Sequence, residues 1–385
     1  MRPWRSKIEP ARVLRIAART LSRPTAPYRE GAVIAWVRAW AAGVPHVAVR
    51  ADRDGNLELR RRGVSANRSP LVLAAHMDHP GFRALRSRPR RRGGVEVDAL
   101  FLGGVRPECF AGSPVRFHDA DGRELRARVV GVRRARGALR ARLHAKAFVP
   151  AGALGVWDLP PFRRASRDPD LLETRAADDL AGVAAVLALL EAVDRIDPQR
   201  AVDVRGLFTR AEEVGFVGAL AVARGRRLPR GARVVAIEAS KALAHAPQGA
   251  GPIVRVGDRT SVFDDALTRW IARVAAELES RRAGFRWQRR LMDGGTCEST
   301  AYQQYGYRCA ALCLPLGNYH NMSDRRPDTI AAESIRLSDL VGLVRLFEAM
   351  VRRDADCPRP RSPDPLRARL DRRFRAAAHE LRRDP

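Results

Sequence analysis

Two adjacent carboxylates, Glu212 and Glu213, stand in the stretch Thr209-Arg210-Ala211-Glu212-Glu213-Val214-Gly215. The apolar run 202–208 before them reads as a buried strand, and 218–223 after them as the start of a helix. Proteins of the α/β class place ligands at such strand ends. Neighbouring residues point in different directions there, so one carboxylate can hold a cation while the other handles a proton. Four further places repeat the pattern: His76 with Asp78 after the apolar run 71–75, Asp178 with Asp179 at the head of an apolar helix, Glu238 after 234–237, and His320 after 309–316. Strand ends of one sheet open on one crevice. Two histidines and several carboxylates meeting there make an N/O site suited to Zn²⁺, Mn²⁺ or Co²⁺.

Each residue has a structural alternative. A histidine at a strand end commonly only packs, Asp178-Asp179 can cap a helix, and Glu238 can pair with an arginine. An isolated Glu-Glu pair is commonly a solvated turn. It is the conjunction, in this order and with these neighbours, that points to chemistry.

The elements that must position these residues alternate along the chain. Helices are predicted over 8–21 and 29–42, where apolar residues such as Ala32, Ile34, Val37 and Trp40 recur at spacings of three and four. Segments 46–49 and 57–59 flank Asp54-Gly55, a hairpin signal. From 83 to about 164 the texture becomes short alternating segments divided by glycines, an all-β module of barrel or sandwich type. Helix-strand alternation resumes near Leu171, with strands over 202–208, 234–237 and 309–314 and helices near 263–281, 297–305 and 334–352. A glycine-rich connection is expected over 249–257, and a further amphipathic helix, with Leu366, Leu370, Phe374 and Leu381 on one face, after a proline-rich linker. The reading is an α/β fold, a mixed central sheet flanked by helices, with a small all-β barrel inserted. The body takes 1–82 and 165–354, the barrel 83–164, and the linker and last helix 355–385.

Composition narrows the classes. With 385 residues and 45% hydrophobic content the chain can bury a large core. It has no apolar run of 18 residues, so no membrane helix is expected. The basic N-terminus leads into a segment broken by Glu9, Arg12, Arg15 and Arg19, a poor secretory core and a good amphipathic helix. A cytoplasmic protein is expected. Its five cysteines match no zinc-ribbon spacing. The net charge of +28 invites a nucleic-acid reading, yet of 71 basic residues only Lys7, Lys146 and Lys241 are lysine. That bias runs the length of the chain rather than forming a patch. Stacking aromatics are sparse among the basic runs, so no specific nucleic-acid partner is expected.

The motifs His76-Met77-Asp78, Asp178-Asp179-Leu180-Ala181-Gly182 and Glu212-Glu213-Val214-Gly215-Phe216-Val217-Gly218-Ala219 resemble those of the co-catalytic metallopeptidase clan, and within it the M42 glutamyl aminopeptidase/endoglucanase-like family. Gly81-Phe82, Gly251-Pro252, Gly294-Gly295-Thr296 and a late His320 add to the resemblance, which spans most of 30–350. The insert between His76 and Asp178 agrees with M42. In the related M20 peptidases the extra domain comes later, and M28 peptidases generally lack it.

The resemblance implies a di-metal aminopeptidase acting on peptides, with two divalent ions per chain, Zn²⁺ or else Co²⁺ or Mn²⁺, and assembly into homo-oligomers. Carried over by position, it implies that His76 and Glu238 bind one metal, Glu213 and His320 the other, and Asp178 bridges them. It implies that Glu212 is the general base for a water shared by the metals, and that Asp78 accepts a hydrogen bond from His76. At three points the chain departs from the family pattern. Glu238 stands where Asp is usual, His79-Pro80 replaces an acidic-apolar pair, and Cys297-Glu298 follows Gly-Gly-Thr where Asp-Ala is usual. An M20- or M28-like carboxypeptidase or N-deacylase is the alternative within the chemistry. A basic-surface nucleic-acid or partner-binding protein on the same scaffold is the alternative outside it.

Overall fold

The computed structural model describes residues 5–358 apart from 63, 65–68, 92, 136 and 137, together with 369 and 372. The helix expected near the C-terminus, with Leu366, Leu370, Phe374 and Leu381, lies outside the described residues.

Helices α1 (Pro10–Leu21) and α2 (Gly31–Ala42) precede the hairpin β1 (Val47–Ala51) and β2 (Leu57–Arg61) and the strand β3 (Leu71–His76). Then come β4 (Gly81–Pro89), β5 (Val95–Leu102), β6 (Pro114–His118), β7 (Glu124–Ala135), β8 (Ala138–Ala145) and β9 (Leu154–Trp157). The chain continues through β10 (Phe162–Ala165), β11 (Asp168–Thr174), α3 (Leu180–Ile196), β12 (Val204–Thr209), α4 (Val217–Arg224) and β13 (Arg233–Lys241). It ends in β14 (Ile253–Gly257), α5 (Asp265–Arg281), β15 (Gln288–Leu291), α6 (Glu298–Gln304), β16 (Arg308–Leu316), β17 (Glu333–Arg336) and α7 (Leu337–Arg352).

Eight strands form one mixed sheet in the order β1-β2-β12-β3-β13-β16-β14-β15. Its centre, β12-β3-β13-β16, is parallel. Both faces of such strands are covered, so they read as unbroken apolar runs; β3 and β12 are buried throughout. Helix α3 is apolar on nearly every side and buried along almost its whole length, as a helix sandwiched within a core must be. The parallel register brings functional positions to one edge. Thr209 pairs with His76, and Ala236 pairs with Ala74, so two residues further along each strand His76 and Glu238 stand level.

Strands β4-β5-β8-β7-β6-β9 close a barrel. Its strands alternate, so Val97, Ala99 and Phe101 of β5 and Leu139, Ala141 and Leu143 of β8 point inward. Phe82, Phe101, Phe110 and Trp157 fill the interior edge to face, with Phe82 and Trp157 4.8 Å apart. A small third sheet, β10-β11-β17, lies beside the body.

Three local expectations change. Residues 253–257 of the glycine-rich connection form β14, which pairs with both β16 and β15. Only the lead-in is loop, and the Asp339 carboxylate accepts the N–H groups of Gly249 and Gly251 there. The helix expected from 334 starts at Leu337, because Glu333–Arg336 pairs antiparallel with β11. Tertiary pairing wins over helical periodicity at that end. Strand β13 also runs past Glu238 to Lys241, so Glu238 sits inside a strand rather than after it.

Candidate metal centre

The sheet edge assembles the candidate residues from five separate segments. Nε2 of His76 lies 3.5 Å from Oδ1 of Asp178 and 4.0 Å from Oε2 of Glu238. On the opposite side, Nε2 of His320 lies 3.6 Å from Oδ2 of Asp178 and 3.1 Å from Oε1 of Glu213. Two ligand-type sets result, His76/Asp178/Glu238 and Asp178/Glu213/His320, each with one donor atom per residue within 4.8 Å of the others. Asp178 belongs to both and offers each set a different oxygen. A third grouping, His76/Glu212/Glu213, overlaps them, with Oε2 of Glu212 3.9 Å from His76 Nε2. Asp178, Glu212, Glu213, Glu238 and His320 line a cleft of about 480 Å³.

The donor chemistry fits divalent cations. Nδ1 of His76 faces the Asp78 carbonyl oxygen at 3.1 Å, and Nδ1 of His320 faces the Gly104 carbonyl oxygen at 2.7 Å. A carbonyl only accepts, so each ring keeps its proton on Nδ1 and presents the Nε2 lone pair to the cleft. Oε1 of Glu238 is buried with no hydrogen-bond partner. Such an orphaned carboxylate oxygen is expensive to bury unless a cation takes it up.

The electrostatics show the same crowding. Burial pushes Glu212 well above the usual carboxylate range, His76 only partly offsets this, and Glu238, Glu213 and Asp78 push it further. Burial raises Glu238 to about 8 despite His76 and Arg255. Burial opposes charge on His76 and His320, but the surrounding carboxylates outweigh it and hold both imidazoles well above their ordinary value. Burial also opposes ionisation of Asp178, yet the adjacent His320 and His76 rings keep it below the carboxylate range.

The supports come from distant parts of the chain. Oδ1 and Oδ2 of Asp78 accept the backbone N–H groups of Glu212 and Glu213 at 2.9 and 3.1 Å. Its carboxylate lies 3.7 Å from His76 Nδ1, so the hydrogen bond expected between these side chains is made instead by the Asp78 carbonyl. Glu30 holds the same turn from the other side, accepting the Ala211 N–H at 3.0 Å and Nε of Arg210 at 2.8 Å. Ala211 adopts a left-handed φ of 52° there, a conformation that needs such support. Asp179 caps α3 through the Gly182 N–H, while Asp178, joined to it by a cis peptide, turns into the cleft.

Glu333 was not singled out from the sequence. It is fully buried and accepts the N–H groups of Ala177 at 2.7 Å, Asp178 at 3.1 Å and His320 at 2.8 Å. One carboxylate thus fixes the backbone of residues from both ligand-type sets. His79 adds a second tie, from Nδ1 to the Asp178 carbonyl at 2.7 Å and from Nε2 to Asn321 Oδ1 at 3.0 Å. Asn318, His320 and Asn321 all have left-handed φ values near 54–61°. The turn that carries His320 depends on these bonds.

A family model described as M42 glutamyl aminopeptidase matches residues 137–333, half of the chain. That span takes in Asp178, Glu212, Glu213, Glu238, His320 and the supporting Glu333. No curated protein matches the chain in sequence. Several solved structures share its fold. An aminopeptidase from the archaeon Desulfurococcus kamchatkensis is 20% identical, with a TM-score of 0.72 over 89% of this chain and 95% of that one. The Pyrococcus horikoshii TET1 peptidase is 19% identical, with a TM-score of 0.71 over 88% and 99%. A TET aminopeptidase from a marine sediment thaumarchaeon is 18% identical, with a TM-score of 0.71 over 89% and 97%. At such identities the likeness concerns the fold; the family model carries the assignment, and the chain belongs to the M42 peptidase family.

Proposed function

We propose that the chain is a di-metal aminopeptidase that removes N-terminal residues from peptides. The observation that carries this reading is Asp178, whose two carboxylate oxygens face His76 and His320 on opposite sides. A residue so placed suits a bridge between two cations. His76 and Glu238 would complete one site, Glu213 and His320 the other. When bound, the cations would polarise the scissile carbonyl and acidify water at neutral pH.

Glu212 is assigned the proton transfer. It lies outside the two sets that share Asp178, lines the cleft, and has its backbone pinned by Asp78. A carboxylate whose basicity is raised by burial takes a proton from water and returns it to the leaving amine. Asp78 acts as a positioning residue for the Glu212-Glu213 turn. Glu238, one methylene longer than the aspartate usual there, reaches within 4.0 Å of His76 Nε2 from inside β13. The cleft's carboxylates also suit the ammonium of a free N-terminus.

The closure of six strands between 81 and 157 supports dividing the chain into a body of 1–82 and 165–354 and a barrel of 83–164, with 355–385 beyond them. The Pyrococcus horikoshii relative can assemble into a tetrahedron or a large octahedral shell, and we infer a homo-oligomer here as well. Among the described residues no helix is long and apolar enough to cross a membrane. All five cysteines are free and buried, which supports a reducing, cytoplasmic setting. Hydrolysis of aminoacyl substrates by zinc-loaded protein, lost on chelation, tests the reading; activity confined to N-blocked substrates would favour an N-deacylase instead.

A further inference from the structure

One buried carboxylate near the metal centre belongs to neither ligand-type set and does not line the cleft. Glu298 opens α6 and is only 1% exposed. Among the described residues no cation lies within ion-pair distance of it. Its Oε1 instead accepts a hydrogen bond from Thr209 Oγ1 at 2.5 Å, across 89 positions of the chain. Thr209 is fully buried, and a second, longer contact runs from its hydroxyl to the Ala75 carbonyl oxygen at 3.4 Å.

Both ends of this bond reach functional segments. Thr209 ends β12, level with His76 across the parallel pairing of β12 and β3, and its carbonyl oxygen accepts the Met77 N–H at 2.9 Å. From Thr209 the chain runs through Arg210 and the left-handed Ala211 to Glu212. Glu298 stands two residues after Thr296, which lines the cleft with Gly294 and Gly295. Asp258 holds this segment from the other side, accepting the Cys297 N–H at 3.0 Å and the Thr300 hydroxyl at 2.7 Å. Glu298 thus joins one wall of the cleft to the strand end from which the Glu212-Glu213 turn leaves. Burying a carboxylate without a cation is costly, so packing alone gives no reason for it. Alanine, usual at this place in the family pattern, could not make the bond.

We propose that Glu298 is a positioning residue for the catalytic turn, acting through the Thr209 hydroxyl. This rests on the aminopeptidase reading, with Glu212 as the group that moves the proton. A base displaced by about 1 Å can lose about a hundredfold in rate, so a tie at the end of β12 bears directly on turnover. The bond needs only an acceptor oxygen. Burial raises Glu298 to about 7, and the neutral acid, the carboxylate and a glutamine amide each supply such an oxygen.

The test uses the full-length, zinc-loaded protein and an aminoacyl p-nitroanilide. Thr209→Val keeps the branched shape and removes the donor, while Glu298→Ala removes the acceptor. Each should lower kcat about 10–100-fold, as losing an outer support of a metal site does, with KM little changed and zinc retained. Glu298→Gln and Thr209→Ser keep the bond and should keep turnover close to wild type. The double variant of Thr209→Val with Glu298→Ala should lose no more than either single one, because both remove the same interaction. Amide hydrogen exchange over 209–213 reads the tie without turnover. It should quicken in Thr209→Val and Glu298→Ala and stay at the wild-type rate in Glu298→Gln. If Glu298→Ala does not fold, Thr209→Val and the two conservative variants decide. Wild-type kcat and exchange in Thr209→Val, a loss in Glu298→Gln equal to that in Thr209→Val, or losses that add in the double variant would overturn the proposal while leaving the aminopeptidase reading standing. Absence of hydrolysis of every aminoacyl substrate by wild-type protein would overturn that reading itself, and the exchange rates would then decide the role of Glu298.

Discussion

The Asp78 carboxylate accepts the backbone N–H of Glu212 at 2.9 Å. The side chain two residues after His76 therefore sets the position of the proposed base, and its second oxygen does the same for Glu213 at 3.1 Å. Asp78→Ala would leave one buried and one half-buried amide unpaired, the buried one costing about 1–3 kcal/mol. Turnover should fall about 10–100-fold, the usual effect of removing an outer support of a metal site. Steady-state kinetics beside elemental analysis checks this, and unchanged kcat would remove Asp78 from the account.

Glu212→Gln keeps the size of the side chain and removes its basicity. The expected result is a kcat lowered by about 10²–10⁴-fold, the range typical of losing a general base. KM should change little, and two zinc ions per chain should remain. Loss of one zinc together with activity would instead make Glu212 a ligand, as the overlapping His76/Glu212/Glu213 grouping permits.

Glu333→Ala should weaken both sites at once, because its carboxylate holds the N–H groups of Asp178 and His320. A loss of about 10–100-fold in zinc affinity is expected. Competition with a chromogenic chelator measures it, and wild-type affinity at both sites would contradict the assignment.

Much of the candidate site is legible in the sequence because a strand end leaves a local trace. His76, Asp178 and Glu212 each adjoin an apolar run or a helix start, so the linear pattern exposes them. The residues that hold them leave no such trace. Glu333 reaches Ala177 across 156 positions, and it stands one residue before the expected helix, where the backbone pairs as a strand. Glu30 reaches Ala211 across 181 positions from the start of α2. The barrel follows the sequence more closely, since alternation and turn glycines act locally. The shared edge of the large sheet depends on parallel pairings between distant strands, which no single stretch encodes.

The pH dependence of the metal-free protein follows from the buried groups. A group whose folded pKa is raised keeps its proton after the unfolded chain has lost it. Its contribution is therefore complete below the unfolded pKa and drains away as pH climbs to the folded one. Burial raises Glu298 and Glu333 to about 7 and Glu238 to about 8, and His76 and His320 also shift upward. Asp178 shifts downward, so its stabilisation is lost only as pH falls below about 4. Chelated protein should lose thermal stability as pH rises from about 5 to 8. Zinc should reverse the trend, since its ligands bind deprotonated. Thermal melts across that range check both signs; a rising Tm for the chelated protein would contradict the prediction.

The most direct test of the two-metal claim is turnover of an aminoacyl p-nitroanilide against equivalents of zinc returned to chelated protein. The account predicts no hydrolysis without metal and a plateau reached at two zinc ions per chain. Full turnover in the absence of metal, or a plateau at a single equivalent, would contradict it.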